Sequence, residues 1–88
     1  MDKLLRLKLK AQAHHLKPVV MIGTKGLTPA VIDETHLALQ AHELIKVKIN
    51  GMEKEDRHAA AQALTEAVQA DLVQIIGNTA ILWRKNPD

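Results

Sequence analysis

The chain has no cysteine, phenylalanine or tyrosine, and Trp83 is its one large aromatic residue. Without cysteine there is no disulfide, no thiol nucleophile and no thiolate metal site, which suits a reducing compartment, and a cytoplasmic location is expected. With one aromatic among 88 residues, the core has to be built from Leu, Ile, Val and Ala. A domain of this size buries somewhat above ~60% of its unfolded surface, so it has little to spare. No run approaches the ~18 apolar residues that a membrane span requires, and no membrane partner is expected. The basic start Lys3-Arg6-Lys8-Lys10 alternates with leucines and leads into no apolar segment, so no signal peptide is read there. These absences imply one small soluble domain over residues 1–88.

Residues for catalysis are missing as well. The glycine pair in Gly23-Thr24-Lys25-Gly26 is followed by no Gly-Lys-Ser/Thr, so it is not a nucleotide-hydrolase loop. A dinucleotide fingerprint needs a third glycine and an acid at the end of the second strand, whereas Glu43 precedes that strand. Five histidines are present but no HExxH pattern. His14 and His15 are helix neighbours that diverge by about 100° and do not readily face one ion. His42 and His58 read as helix-end or surface residues. No catalytic residue, metal ligand or cofactor is therefore assigned, and no enzyme is expected.

What is present is charge, unevenly placed. Up to Gly26 the chain has six Lys or Arg against Asp2 alone; from Leu27 onward it has six against nine acids. Such asymmetry predicts a basic face for a polyanion, with the acidic remainder solvated elsewhere. The basic part includes Gly23-Thr24-Lys25-Gly26, which lies between the apolar run Pro18-Val19-Val20-Met21-Ile22 and a helix start at Thr28-Pro29. The run reads as a buried strand, Thr28 as an N-cap and Pro29 as the first helical residue. A glycine-flanked turn before a helix N-terminus offers backbone N–H groups and a partial positive charge to phosphate, with Lys25 at its tip. Taken alone, the same glycines are also what an ordinary tight turn uses.

The remaining periodicity predicts a first helix from about Asp2 to His15, with Leu5, Leu9, Ala13 and Leu16 on one stripe and Lys3, Arg6 and Lys10 on the opposite one. A second helix is expected over Pro29 to Ala41, burying Val31, Ile32, Thr35, Ala38 and Leu39. Strand Leu44 to Ile49 alternates Ile45, Val47 and Ile49 with Lys46 and Lys48, and Asn50-Gly51 is a turn. A third helix starts near Glu53 and buries Ala60, Ala61, Leu64 and Val68. Strands Leu72 to Ile76 and Thr79 to Arg84 flank a two-residue turn, Gly77-Asn78. The order α-β-α-β-α-β-β implies an α/β domain with a four-stranded mixed sheet and the glycine loop at the carboxyl end of the first strand, where open α/β sheets bind ligands.

Four blocks together resemble a known family: His15-Leu16-Lys17-Pro18-Val19-Val20, Gly23-Thr24-Lys25-Gly26-Leu27-Thr28, His42-Glu43-Leu44-Ile45-Lys46-Val47-Lys48 and Val73-Gln74-Ile75-Ile76-Gly77. They look like the CRM domain, and most closely like its stand-alone bacterial YhbY-like members, over nearly the whole chain. The resemblance implies a fold like the C-terminal domain of translation initiation factor 3. It also implies RNA binding, with the bacterial members associated with precursors of the large ribosomal subunit and plant organelle relatives used in group II intron splicing. The family's GxxG loop falls on Gly23, Thr24, Lys25 and Gly26, and its basic strand pair on Lys46 and Lys48; Lys10, Lys17 and Arg84 are counted with the same basic surface. Trp83 stands where many relatives are expected to have tyrosine, and the sequence stops at Asp88 with no basic tail.

The expected partner is thus ribosomal RNA, bound by a monomer. The alternative is a protein-interaction module that docks through the basic amphipathic first helix. Hairpin arithmetic pairs Val73 with Leu82, Ile75 with Ala80, Gln74 with Ile81 and Leu72 with Trp83, and assigns Val73, Ile75, Ala80 and Leu82 to the core under helices two and three. Trp83 then faces the other side, where either the first helix covers it or a base stacks on it, the covered state being the expected one.

Overall fold

The computed structural model describes residues 1–87, so Asp88, where the tail was in question, lies outside the described residues. Its elements are α1 (Lys3–Ala13), β1 (Pro18–Ile22), α2 (Pro29–Ala41), β2 (Leu44–Ile49), α3 (Lys54–Ala67), β3 (Asp71–Ile76) and β4 (Thr79–Trp83). The helix starts follow from capping chemistry. Asp2 accepts a hydrogen bond from the Leu5 N–H at 2.8 Å, and the Thr28 hydroxyl accepts one from Val31 at 3.2 Å with Pro29 next to it. At α3, Glu53 makes no such side-chain bond, and Glu55 and Asp56 in the first turn complement the helix dipole instead. The first helix is shorter than its leucine spacing suggests: His14 is its C-cap, and Leu16 N–H bonds back to Ala13.

The strands form one mixed sheet in the order β1-β2-β4-β3. β1 and β2, joined through α2, run parallel; β4 is antiparallel to both β2 and β3. The short Gly77-Asn78 turn folds β4 back on β3, and β4 thereby fills the place between β2 and β3. All three strands that precede helices or the hairpin point their carboxyl ends to one end of the sheet, with Thr79 beside them.

The two sheet faces are covered unequally. On one, Leu39 of α2, Ala61 and Leu64 of α3 and its C-cap Val68 close over Val20, Ile22, Ile45, Val47, Ile49, Ala80 and Leu82. On the other, α1 lies alone, and Leu9 and Ala13 pack on Val73 and Ile81 with Leu5, Leu16, Leu44 and Trp83 around them. Apolar burial at ~25 cal/mol per Å² makes the first face the main source of stability.

The hairpin departs from simple arithmetic at one point. Ile76–Thr79, Ile75–Ala80 and Gln74–Ile81 pair as the two-residue turn requires. An irregularity between Leu72 and Gln74 then sets Leu72 opposite Leu82 and Asp71 opposite Trp83. Leu72 joins the α2/α3 core in place of Val73, which turns to α1. A bulge leaves strand carbonyls without ladder partners. Arg6 meets them: its Nη1 donates to Leu72 O at 3.3 Å and Val73 O at 2.6 Å. Arg6 is therefore half-buried against the sheet, not on an outward basic stripe with Lys3.

Candidate nucleic-acid interface

Residues Gly23–Gly26 form the loop at the carboxyl end of β1. The Gly26 N–H donates to Gly23 O at 3.0 Å, and Gly26 has φ +73°, a left-handed conformation that glycine adopts without strain. One of the N–H groups expected for a ligand is therefore used by the turn itself. No acceptor among the described residues takes the N–H of Thr24 or Lys25, and Thr24 and Lys25 are exposed. The loop is held from behind. Asn50 N–H donates to Ile22 O at 2.8 Å, and a Cβ placed on Gly51 would collide with Thr24 Cγ2. The Asn50-Gly51 turn thus braces the loop, and Gly51, at φ +76°, has both the space and the conformation only glycine supplies.

On the α1 side of the sheet, α1 covers the end containing Leu44, Val73 and Trp83 and leaves the loop end bare. A row of side chains crosses all four strands there: Met21, Lys48, Thr79 and Ile76, joined by the registers Met21–Lys48, Lys48–Thr79 and Ile76–Thr79. Met21 is 57% exposed, Val19 49% and Ile76 51%. The apolar run read as a buried strand is therefore buried on one side only: Val20 and Ile22 face the core, Val19 and Met21 the solvent. Lys46 and Lys48 share this face, half-exposed and two residues apart, about 7 Å by strand rise.

Of the nine residues expected to touch a polyanion, the structure places seven along the β1–β2 side of the sheet, on those strands or at the ends of β1. Lys48 neighbours Met21 at the loop end, Lys46 pairs with Pro18, and exposed Lys17 precedes Pro18 at the far end. Gly23, Thr24, Lys25 and Gly26 complete the line. Lys10 lies half-buried on α1, one turn beyond Arg6. Arg84 does not join them. It follows β4 at the opposite end of the sheet, where its Nη1 donates to Val68 O and meets His36 Nδ1, both at 2.9 Å, and its Nη2 donates to His36 O at 3.3 Å. That guanidinium ties the middle of α2 and the C-cap of α3 to the end of β4 and is not a free surface charge.

The loop also has an acidic flank that sequence spacing did not reveal. Thr24, Gly51 and Met52 line a shallow concavity with Glu53 and Asp56, at the start of α3 on the other side of the sheet. A polyanion at Lys25 is repelled there and attracted over β1 and β2. Among the described residues no three His, Cys, Asp or Glu side chains converge as a metal site, and no helix is long and apolar enough to cross a membrane.

Residues 1–84 match the model of the CRS1/YhbY (CRM) domain. The chain belongs to this family. A Pseudomonas aeruginosa relative named as a probable RNA-binding protein is 46% identical over 80 residues, 91% of this chain and 77% of the relative. A Haemophilus influenzae RNA-binding protein is 44% identical over 91% of this chain and 81% of its own length. The solution structure of a hypothetical Staphylococcus aureus protein, described as a candidate RNA-binding protein, superposes with a TM-score of 0.88 at 28% identity, over 100% of this chain and 92% of that one. The CRM domain described here thus shares its fold with that protein from end to end.

Proposed function

We propose that this CRM domain binds RNA through the Gly23–Gly26 loop and the basic strip of Lys17, Lys46 and Lys48 beside it, and that the RNA is ribosomal, in precursors of the large subunit. One observation carries the reading: Lys48 lies on the part of the sheet face that no helix covers, beside a loop whose Thr24 and Lys25 N–H groups have no acceptor among the described residues, and Lys46 and Lys17 continue the charge along β2 and before β1 toward the far end. Phosphates accept from such N–H groups and pair with lysines, and the acidic start of α3 disfavours approach from the other side. The names of the relatives support the same ligand class.

Two measurements test it. Affinity for RNA should fall steeply with ionic strength and the Lys25→Ala variant should lower the salt slope by about one unit. Crosslinking in cells followed by sequencing should recover ribosomal RNA; recovery of unrelated transcripts alone would remove the ribosomal part. A second reading has one observation in its favour: Leu4 and Leu7 of α1 are 64% and 54% exposed, which suits docking of that helix on a protein. Binding by that surface would be nearly indifferent to salt.

A further inference from the structure

We infer that the RNA held on the open half of the sheet is double-helical, recognised by its phosphate–ribose backbone, and that single-stranded RNA with splayed bases is a poor ligand. This rests on the RNA-binding reading and specifies what kind of RNA the face accepts. Many modules that hold single strands stack unpaired bases on aromatic rings or on arginine planes, each stacked base adding roughly tenfold in affinity, and a glycine loop that clamps the backbone is not by itself such a platform. The open half of the sheet has neither group to offer: the exposed rings of His15 and His42 stand with Lys17 at the opposite end, away from the loop. The chain's one large aromatic residue, Trp83, packs in the cluster beneath α1 with Leu5, Leu9, Leu16 and Leu44, at the covered end of the sheet.

The arginines are committed too. The chain has three, and each donates from its guanidinium to backbone carbonyls of its own fold: Arg6 to Leu72 and Val73, Arg57 to Met52, Arg84 to Val68 and His36. Every other Lys or Arg in the chain is a lysine, a point charge that pairs with phosphate and presents no plane for a base. Beside Lys48 lie Met21, Thr79 and Ile76, none of which has the side-chain amide that pairs a donor and an acceptor with a base edge; Gln74, which has one, sits a row back beside Ile81 under α1.

The geometry favours a regular partner. β2 is paired on both sides, by β1 and by β4, so its lysines are held at a fixed spacing, and Lys17 and Lys25 extend the line beyond both ends of β1. Point charges rooted at a fixed spacing on a rigid strand match a helix whose phosphates repeat regularly. A flexible strand would have to be straightened to meet it, with no stacking to offset the loss of freedom.

The test is fluorescence anisotropy at fixed salt with a labelled RNA duplex of about 16 base pairs and a labelled uridine homopolymer of equal length. Duplex affinity should exceed that for the homopolymer by about tenfold or more, and Trp83 emission should stay unchanged with either. The Lys46→Glu/Lys48→Glu variant should lose duplex binding while keeping its circular dichroism spectrum; if it does not fold, Lys25→Ala should weaken duplex binding instead. Equal or tighter binding of the homopolymer, or quenching of Trp83 by it, overturns the inference and leaves RNA binding standing. If neither RNA is held, both fall together.

Discussion

The two faces of the sheet do different work, and the difference is one of helix supply. Two helices of 13 and 14 residues cover one face, while a single helix of 11 residues lies on the other. A helix is about 10 Å wide and 1.5 Å long per residue, so α1 masks a strip of roughly 16 by 10 Å. Strands of five and six residues need cover along some 17–20 Å. Four strands about 4.8 Å apart span some 19 Å across, about twice the helix width, so roughly half of that face stays bare, including the part next to the glycine loop. Its lysines are tolerable there because they keep contact with water, whereas a lysine in place of Val47 on the closed face would lose it. The comparison teaches that stability and binding are drawn from opposite sides of the same strands, so single substitutions should separate them.

The largest expected effect is on the closed face. Leu39→Ala should cost about 2–5 kcal/mol in urea unfolding, because Leu39 is fully buried between the sheet and its neighbours. Next comes the open face, where Lys46→Glu/Lys48→Glu should lower RNA affinity by about a hundredfold with little change in unfolding midpoint. A fall in midpoint comparable with that of Leu39→Ala would break the division between the faces. Arg84→Ala should lose about 1–3 kcal/mol of stability, since it strips the donor from Val68 and His36, while RNA affinity measured on the folded variant stays within about twofold. A large loss of affinity there would return Arg84 to the interface. The smallest effect belongs to Met21→Ala, expected to change stability by no more than ~0.5 kcal/mol despite lying between buried Val20 and Ile22.

Much of this architecture is legible in the sequence because local signals agree with one another. Thr28-Pro29 starts α2 where capping chemistry places it, Gly77-Asn78 sets the first three pairs of the hairpin, and the alternation of β2 separates Ile45 and Val47 from Lys46 and Lys48. Trp83 lies under α1, as expected for a lone aromatic. What could not be read depends on contacts distant in sequence. The bulge at Val73 is stabilised by Arg6, 67 residues away, and Arg84 is captured by His36, 48 residues away; neither has a local signature. Nor does an apolar run such as Pro18–Ile22 show that one of its sides is left uncovered, since that depends on where α1 stops. The acids at the start of α3 suit its dipole, but their position beside Thr24 follows only from the Asn50-Gly51 turn.

The central claim is that RNA lies over the uncovered half of the α1 face and not elsewhere. It is tested most directly by titrating an RNA duplex into labelled protein and following backbone amides and methionine methyls by NMR. The account predicts shifts concentrated at Met21, Thr24, Lys25, Lys46 and Lys48, with His36, Leu39, Asp56 and Arg84 unmoved. Shifts centred instead on Leu4 and Leu7 of α1, or on the start of α3, would contradict it.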